Sequence, residues 1–184
     1  MPSKQTKFIL AIALQIVVIV SIIIFKLSVL TGGTDIMLKI VPVDPRDVLR
    51  GDYVTFEYEI SSVESYYARS ERIKNGDMVY VVLSPDGKYY GVSNIQKNKP
   101  VNGQLFIKGR VDRGAEESQA DVGVYRTFGG VDLHIVYGIE EYYIPEGKGR
   151  NMSFWNTDAA ARVSVDENGN AALKSIYVND KVWP

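Results

Sequence analysis

The eighteen residues from Phe8 to Phe25 form an apolar run broken only by Gln15 and Ser21. Fourteen of them are Ile, Leu, Val or Phe. Each such residue contributes about −0.3 to −0.6 kcal/mol near the centre of a membrane helix, so insertion gains about 4–8 kcal/mol. At 1.5 Å per residue the run spans about 27 Å, close to the thickness of a hydrocarbon core. Leu27 to Leu30 extend it if Lys26 snorkels to the interface. A cleaved signal peptide has a shorter apolar region, about 7–15 residues, and a small-x-small site. Ser28-Val29-Leu30-Thr31 offers no such site. The run is apolar all round and terminal, unlike the one-sided helix of a soluble core. The expectation is an uncleaved anchor.

This orders the chain as a short cytoplasmic N-terminus (1–7), a transmembrane anchor (8–30), a Gly-rich linker (31–35) and an extracytoplasmic domain (36–184). Lys4 and Lys7 favour an inside N-terminus. Lys26, Lys39, Arg46 and Arg50 pull the other way but sit beyond the run. Residues 1–30 hold three of the 21 basic side chains and none of the 22 acidic ones. The remainder is therefore mildly acidic, a poor match for nucleic acid, where phosphate neutralisation dominates affinity. There is no Cys, which excludes disulfides, thiol catalysis and Cys-based zinc sites.

The domain reads as strands and turns. Ile36–Val41 alternates. From Tyr53, residues Val54, Phe56, Tyr58 and Ile60 face one way and Tyr53, Thr55, Glu57 and Glu59 the other, the period of a half-buried strand. A capping-box-like Ser61-x-x-Glu64 suggests a short helix over 62–75. Met78–Leu83 and Tyr89–Ile95 form a hairpin about Ser84-Pro85-Asp86-Gly87. Gln104–Val111 and Val131–Tyr137 are strands, with Gly138 a possible bulge. A second short helix falls in 151–161. Arg162–Asp166 and Ala171–Val178 close a hairpin at Asn168-Gly169. About eight or nine short strands and no βαβ order give a mainly β fold, a sandwich or partly open barrel, with one transmembrane helix and one or two short helices.

Two stretches stand out. The first is Asp44-Pro45-Arg46-Asp47-Val48-Leu49-Arg50-Gly51-Asp52-Tyr53-Val54-Thr55-Phe56-Glu57-Tyr58-Glu59-Ile60. Asp44 is an N-cap with Pro at the first helical position, and Gly51-Asp52 makes a turn into the strand. The second is Tyr137-Gly138-Ile139-Glu140-Glu141-Tyr142-Tyr143-Ile144-Pro145-Glu146-Gly147-Lys148-Gly149. The first resembles the signature of the GDYXXLXY family of bacterial membrane-anchored proteins, with Phe56 in place of Leu. The second resembles a later block of that family, and the resemblance covers about residues 36–178. It implies an envelope location and an architecture, with no assigned reaction. The candidate structural or binding residues of the two stretches are Asp44, Arg50, Gly51, Asp52, Tyr53, Phe56, Tyr58, Tyr137, Gly138, Glu140, Pro145, Glu146, Gly147 and Gly149.

Catalytic chemistry has few candidates. His134, the one His, is out of phase with Val131, Leu133 and Ile135 and reads as an outward strand residue. Asp44, Asp47 and Asp52 do not follow the spacing of a calcium loop. Glu140 and Glu141 are adjacent, so on a strand they oppose each other rather than pair as in a glycosidase. Arg50-Gly51-Asp52-Tyr53-Val54-Thr55-Phe56 is similar to a strand box of type I signal peptidases, yet no Ser-Met-x-Pro nucleophile accompanies it. The tyrosine doublets 66–67, 89–90 and 142–143 suggest one ring inward and one at a binding surface. The expected role is a non-enzymatic binding or assembly module for a membrane or envelope protein, with no catalytic residue, metal or cofactor. The alternative is a tethered hydrolase in which Asp44, Asp52, Glu140 and Glu146 converge, or a Ser/Lys pair acts.

Overall fold

The computed structural model describes residues 3–41, 53–64, 71, 73–101, 103–114, 133–143 and 157–183. Helix α1, Lys4–Gly32, starts at Ser3, whose hydroxyl accepts the Thr6 N–H at 3.2 Å, the usual N-cap contact. Its side chains from Phe8 to Leu27 are exposed, and its mean hydropathy reaches 3.1 over 18 residues. Ser21 donates its hydroxyl to Val17 O at 2.7 Å and Thr31 to Leu27 O at 2.8 Å. Both polar groups are thus satisfied within the helix, as a bilayer demands.

Twelve strands follow among the described residues: β1 Thr34–Val41, β2 Tyr53–Thr55, β3 Glu57–Tyr58, β4 Ser62–Val63, β5 Met78–Asp86, β6 Tyr89–Gln96, β7 Phe106–Arg113, β8 Leu133–Val136, β9 Glu141–Tyr143, β10 Ala159–Val165, β11 Ala171–Val178 and β12 Lys181–Trp183. They form a sheet β12-β11-β10-β1-β3, a sheet β4-β8-β7-β5-β6 and a ribbon β2-β9. All the pairings are antiparallel. The chain passes from the first sheet to the second through a 3₁₀ turn, Glu59–Ser61, between β3 and β4. The sheets curl into a nearly closed barrel around one apolar core. Leu38, Phe56, Ile107, Leu133, Ile135, Val163 and Ile176 supply its fully buried centre.

The mainly β expectation holds, and several local expectations are corrected. The strand expected from Tyr53 is two short strands: β2 pairs with β9, and β3 pairs with β1. Its inward face is as read, with Phe56, Tyr58 and Ile60 all buried. Ser62–Val63 is strand rather than helix, because β8 supplies a ladder for it; residues 65–70 and 72 lie outside the described residues. The β5–β6 hairpin turns at Gly87-Lys88, two residues later than expected, with Asp86 opposite Tyr89. Only Gly87 takes the positive φ, +59°, that a two-residue hairpin needs at its first position. Ala159–Ala161 belongs to β10 and not to a helix; residues 151–156 lie outside the described residues. The Asn168-Gly169 hairpin is a longer loop closed by the Asp166 carboxylate, which accepts the N–H groups of Asn168 and Asn170, each at 2.8 Å. Where a linker over 31–35 is expected, α1 ends at Gly32 and β1 starts at Thr34.

Candidate functional site

One construction in the fold combines several of the residues singled out above, and a second joins helix to barrel. The first joins the two sequence stretches. Phe56 sits between β2 and β3, where the ladder changes partner, and its N–H donates to Glu140 O at 3.0 Å. Tyr58, on β3, donates its phenol to Ile139 O at 2.7 Å. Tyr137, at the end of β8, donates its phenol to Ile60 O at 2.6 Å. Each stretch thus lends a tyrosine hydroxyl to the backbone of the other. The rings of Phe56 and Tyr58 meet edge to face at 5.5 Å, and those of Tyr58 and Tyr137 at 6.5 Å, a geometry that adds about 0.5–1.5 kcal/mol per pair beyond area burial.

The turn between β8 and β9 is shaped by Gly138, at φ +78°, where a side chain is strained. Glu140 folds back so that its carboxylate accepts the Tyr137 N–H. Burial first, and the Glu140 charge second, push the phenols of Tyr58 and Tyr137 well above their ordinary range. Both are therefore neutral donors over the physiological range. Ser61 completes the corner: buried, its hydroxyl accepts the Tyr58 N–H at 3.3 Å.

This junction accounts for Phe56 and Tyr58 of the first stretch. Tyr53 opens the β2–β9 ladder opposite Tyr143. Phe56 and Tyr58 are core residues, and Tyr58 is also a tie. A family model described as GDYXXLXY protein matches residues 15–176. The chain belongs to the GDYXXLXY family. No curated protein and no solved structure matches it.

In this GDYXXLXY chain, Asp44, Arg50, Gly51 and Asp52 of the first stretch and Pro145, Glu146, Gly147 and Gly149 of the second lie outside the described residues. Of the four carboxylates that a hydrolase would gather, Glu140 is the described one, and it is engaged with a backbone amide. Its neighbour Glu141 is exposed, as adjacent strand residues require. The Tyr142-Tyr143 doublet divides as expected: Tyr142 packs on the core beside Trp183, and Tyr143 is 76% exposed.

His134 lies on the face opposite Leu133 and Ile135, yet its side chain is only 13% exposed. Glu57 Oε1 stands 3.1 Å from Nε2 and Asp112 Oδ2 stands 3.6 Å from Nδ1. The period-two argument gives the face correctly and misses what covers it. The two carboxylates address different nitrogens, so the three groups do not converge. Among the described residues no cluster of three His, Asp or Glu side chains forms a metal-sized site.

The second construction is the joint between α1 and the barrel. Val29, near the end of α1, is buried, and its carbonyl is one of the last four that a helix leaves without an internal partner. Ser164 of β10, fully buried, donates its hydroxyl to Val29 O at 2.8 Å. Gly33 alone separates helix from strand. A Cβ there would lie 2.6 Å from Ser164 Oγ and 2.7 Å from Val165 O, so the backbone approach requires glycine. Beside the joint, Asp35 pairs with Arg162 at 2.8 Å and with Lys174. The hydrogen bond from Lys174 is the main reason its carboxyl is held below the usual range. Nothing in the sequence reading marked Ser164, and Gly33 was read only as part of a linker. The small-residue run Ala159-Ala160-Ala161 is a signal of close packing on β10, but it does not name the element packed there.

Proposed function

We propose that this chain is a single-pass, membrane-anchored extracytoplasmic β domain that serves, without turnover of its own, as a binding or assembly module for another membrane or envelope protein. The N-terminus is cytoplasmic, with Lys4 and Lys7 retained inside. The observation that carries the reading is the joint. A buried Ser164–Val29 hydrogen bond and a single intervening glycine couple helix to barrel as one body. A tethered enzyme acting on diffusing substrate needs no such coupling. A docking module gains from it, because a pre-oriented surface loses less rotational freedom on binding a partner in the same membrane. The exposed ring of Tyr143 and the half-buried Tyr142, on the ribbon that carries the second stretch, offer the residue type enriched at such interfaces.

The test is crosslinking and co-purification of the full chain from its native membrane, with mass spectrometry of what accompanies it. One dominant membrane protein, lost when Tyr143 is replaced by Ser, is the expected result. Recovery of the chain with no protein partner, together with hydrolysis of a panel substrate by the purified chain, overturns the reading.

A further inference from the structure

We infer that the cleft between α1 and β11 is a binding site for one anionic phospholipid, with an acyl chain in the cleft and the phosphate on Lys26. The cleft holds about 330 Å³ and is lined by Ile22, Ile23, Lys26, Leu27, Leu30 and Ala172. Five of these are apolar and the sixth is a cation. No acidic side chain lines it, so the lysine is not neutralised from within the cleft.

Position argues for lipid rather than a soluble ligand. Lys7 and Lys26 are separated by about 29 Å along the helix at 1.5 Å per residue, which matches a hydrocarbon core of about 30 Å. The Lys26 ammonium then snorkels past Leu27 and Leu30 to headgroup level, which leaves Ile22, Ile23 and Leu27 on the acyl side. Leu30 ends that apolar face at the interface. The sheet covers Val29 on one side of the helix, and Leu27 remains 50% exposed. An acyl chain laid along Ile23, Leu27 and Ala172 covers that surface, and a lipid phosphate supplies the counter-charge that the cleft lining does not give Lys26.

The Ser164–Val29 bond fixes β10, and Ala172 of β11 pairs with Ser164 in the ladder. The wall opposite the helix is therefore preformed, and little ordering accompanies binding. This inference rests on α1 spanning the membrane, which its test reads separately.

The experiment uses the full chain, purified in mild detergent from membranes containing phosphatidylethanolamine and phosphatidylglycerol, with retained lipid read by native mass spectrometry. Wild type should retain one phosphatidylglycerol. Lys26→Gln should lower the ratio of anionic to zwitterionic lipid about fivefold, the effect of one interfacial lysine. Ala172→Leu and Ala172→Trp, which fill the cleft, should reduce retention of both, in the order of their size. Liposome flotation of each preparation reports the anchor. Chains that fail to float refute the spanning helix, and this inference with it. Chains that float but show the same lipid ratio with and without Lys26 refute the lipid site alone. So does a cleft occupied by a co-purifying protein helix with no lipid retained.

Discussion

Tyr58 and Tyr137 exchange hydrogen bonds across the fold: the Tyr58 phenol donates to Ile139 O at 2.7 Å, and the Tyr137 phenol donates to Ile60 O at 2.6 Å. Each carbonyl lies two residues from the other tyrosine. The pair closes the corner where the first sheet hands the chain to the second. Removing one hydroxyl leaves a buried carbonyl without its donor, which costs about 1–3 kcal/mol. Tyr58→Phe and Tyr137→Phe should each lower unfolding free energy by that amount in denaturant titrations followed by near-ultraviolet circular dichroism. Their rings touch, so the double variant should depart from the sum of the singles. Single variants as stable as wild type would show the exchange to be incidental.

The two adjacent glycines at the end of α1 should behave oppositely. Gly33→Ala places a methyl group against Ser164 Oγ and Val165 O, and overpacking of that kind costs about 1–3 kcal/mol. A Cβ on Gly32 meets nothing within 4 Å. Gly32→Ala should be neutral or stabilising by up to about 1 kcal/mol from helix propensity. Melting temperatures of the detergent-solubilised chain compare them directly. Equal effects at both positions would contradict a tight joint.

The buried phenols predict an alkaline limit. Tyr58 and Tyr137 have raised values in the fold, against about 10 for an unfolded tyrosine. Their contribution is complete below pH about 10 and falls as pH rises toward the folded values, because the unfolded chain ionises first. Absorbance at 295 nm should show most of the 12 tyrosines titrating smoothly, with at least two ionising only as the barrel unfolds. Smooth ionisation of all twelve before unfolding would mean that the two phenols are open to water.

At acid pH the signs reverse. Asp35, Asp77 and Asp158 are held below the usual carboxylate value, chiefly by hydrogen bonds from Lys174, Lys97 and Tyr89 respectively. Their contribution is present above pH about 4 and is lost as pH falls through the lowered values. Asp35→Asn should flatten the loss of melting temperature between pH 5 and 3, a window of roughly the unfolded carboxylate pKa, relative to wild type. An unchanged acid slope would remove Asp35 from the account.

Local periodicity carried most of what was legible. The apolar run gave α1, and the alternation at 54, 56, 58 and 60 gave the correct inward face. It did not reveal that Phe56 interrupts the strand, because the break depends on Glu140, far along the chain, capturing its amide. The Ser-Pro-Asp-Gly stretch signalled a hairpin but misplaced its turn, since Gly87 alone meets the backbone demand. β12 was not read, although Asn179 and Asp180, both at positive φ, are residue types that tolerate that conformation. The Gly-Gly pair looked like a linker because close approach by Val165 is a long-range fact. Gly109 was overlooked for the same reason: a Cβ there would collide with Ile135 and the Tyr137 ring. The exchange between Tyr58 and Tyr137 spans 81 and 77 residues, beyond any local pattern.

The central claim is that α1 and the barrel move as one body. The chain lacks Cys, so Gln15→Cys and Asn94→Cys give a clean pair of spin labels, one in the helix and one on the exposed face of β6. Pulsed dipolar spectroscopy of the full chain in lipid nanodiscs should give one narrow distance distribution, which broadens when four Gly-Ser residues are inserted after Gly33. A wild-type distribution already as broad as that of the insertion variant would contradict the claim, and would make the barrel a loosely tethered domain.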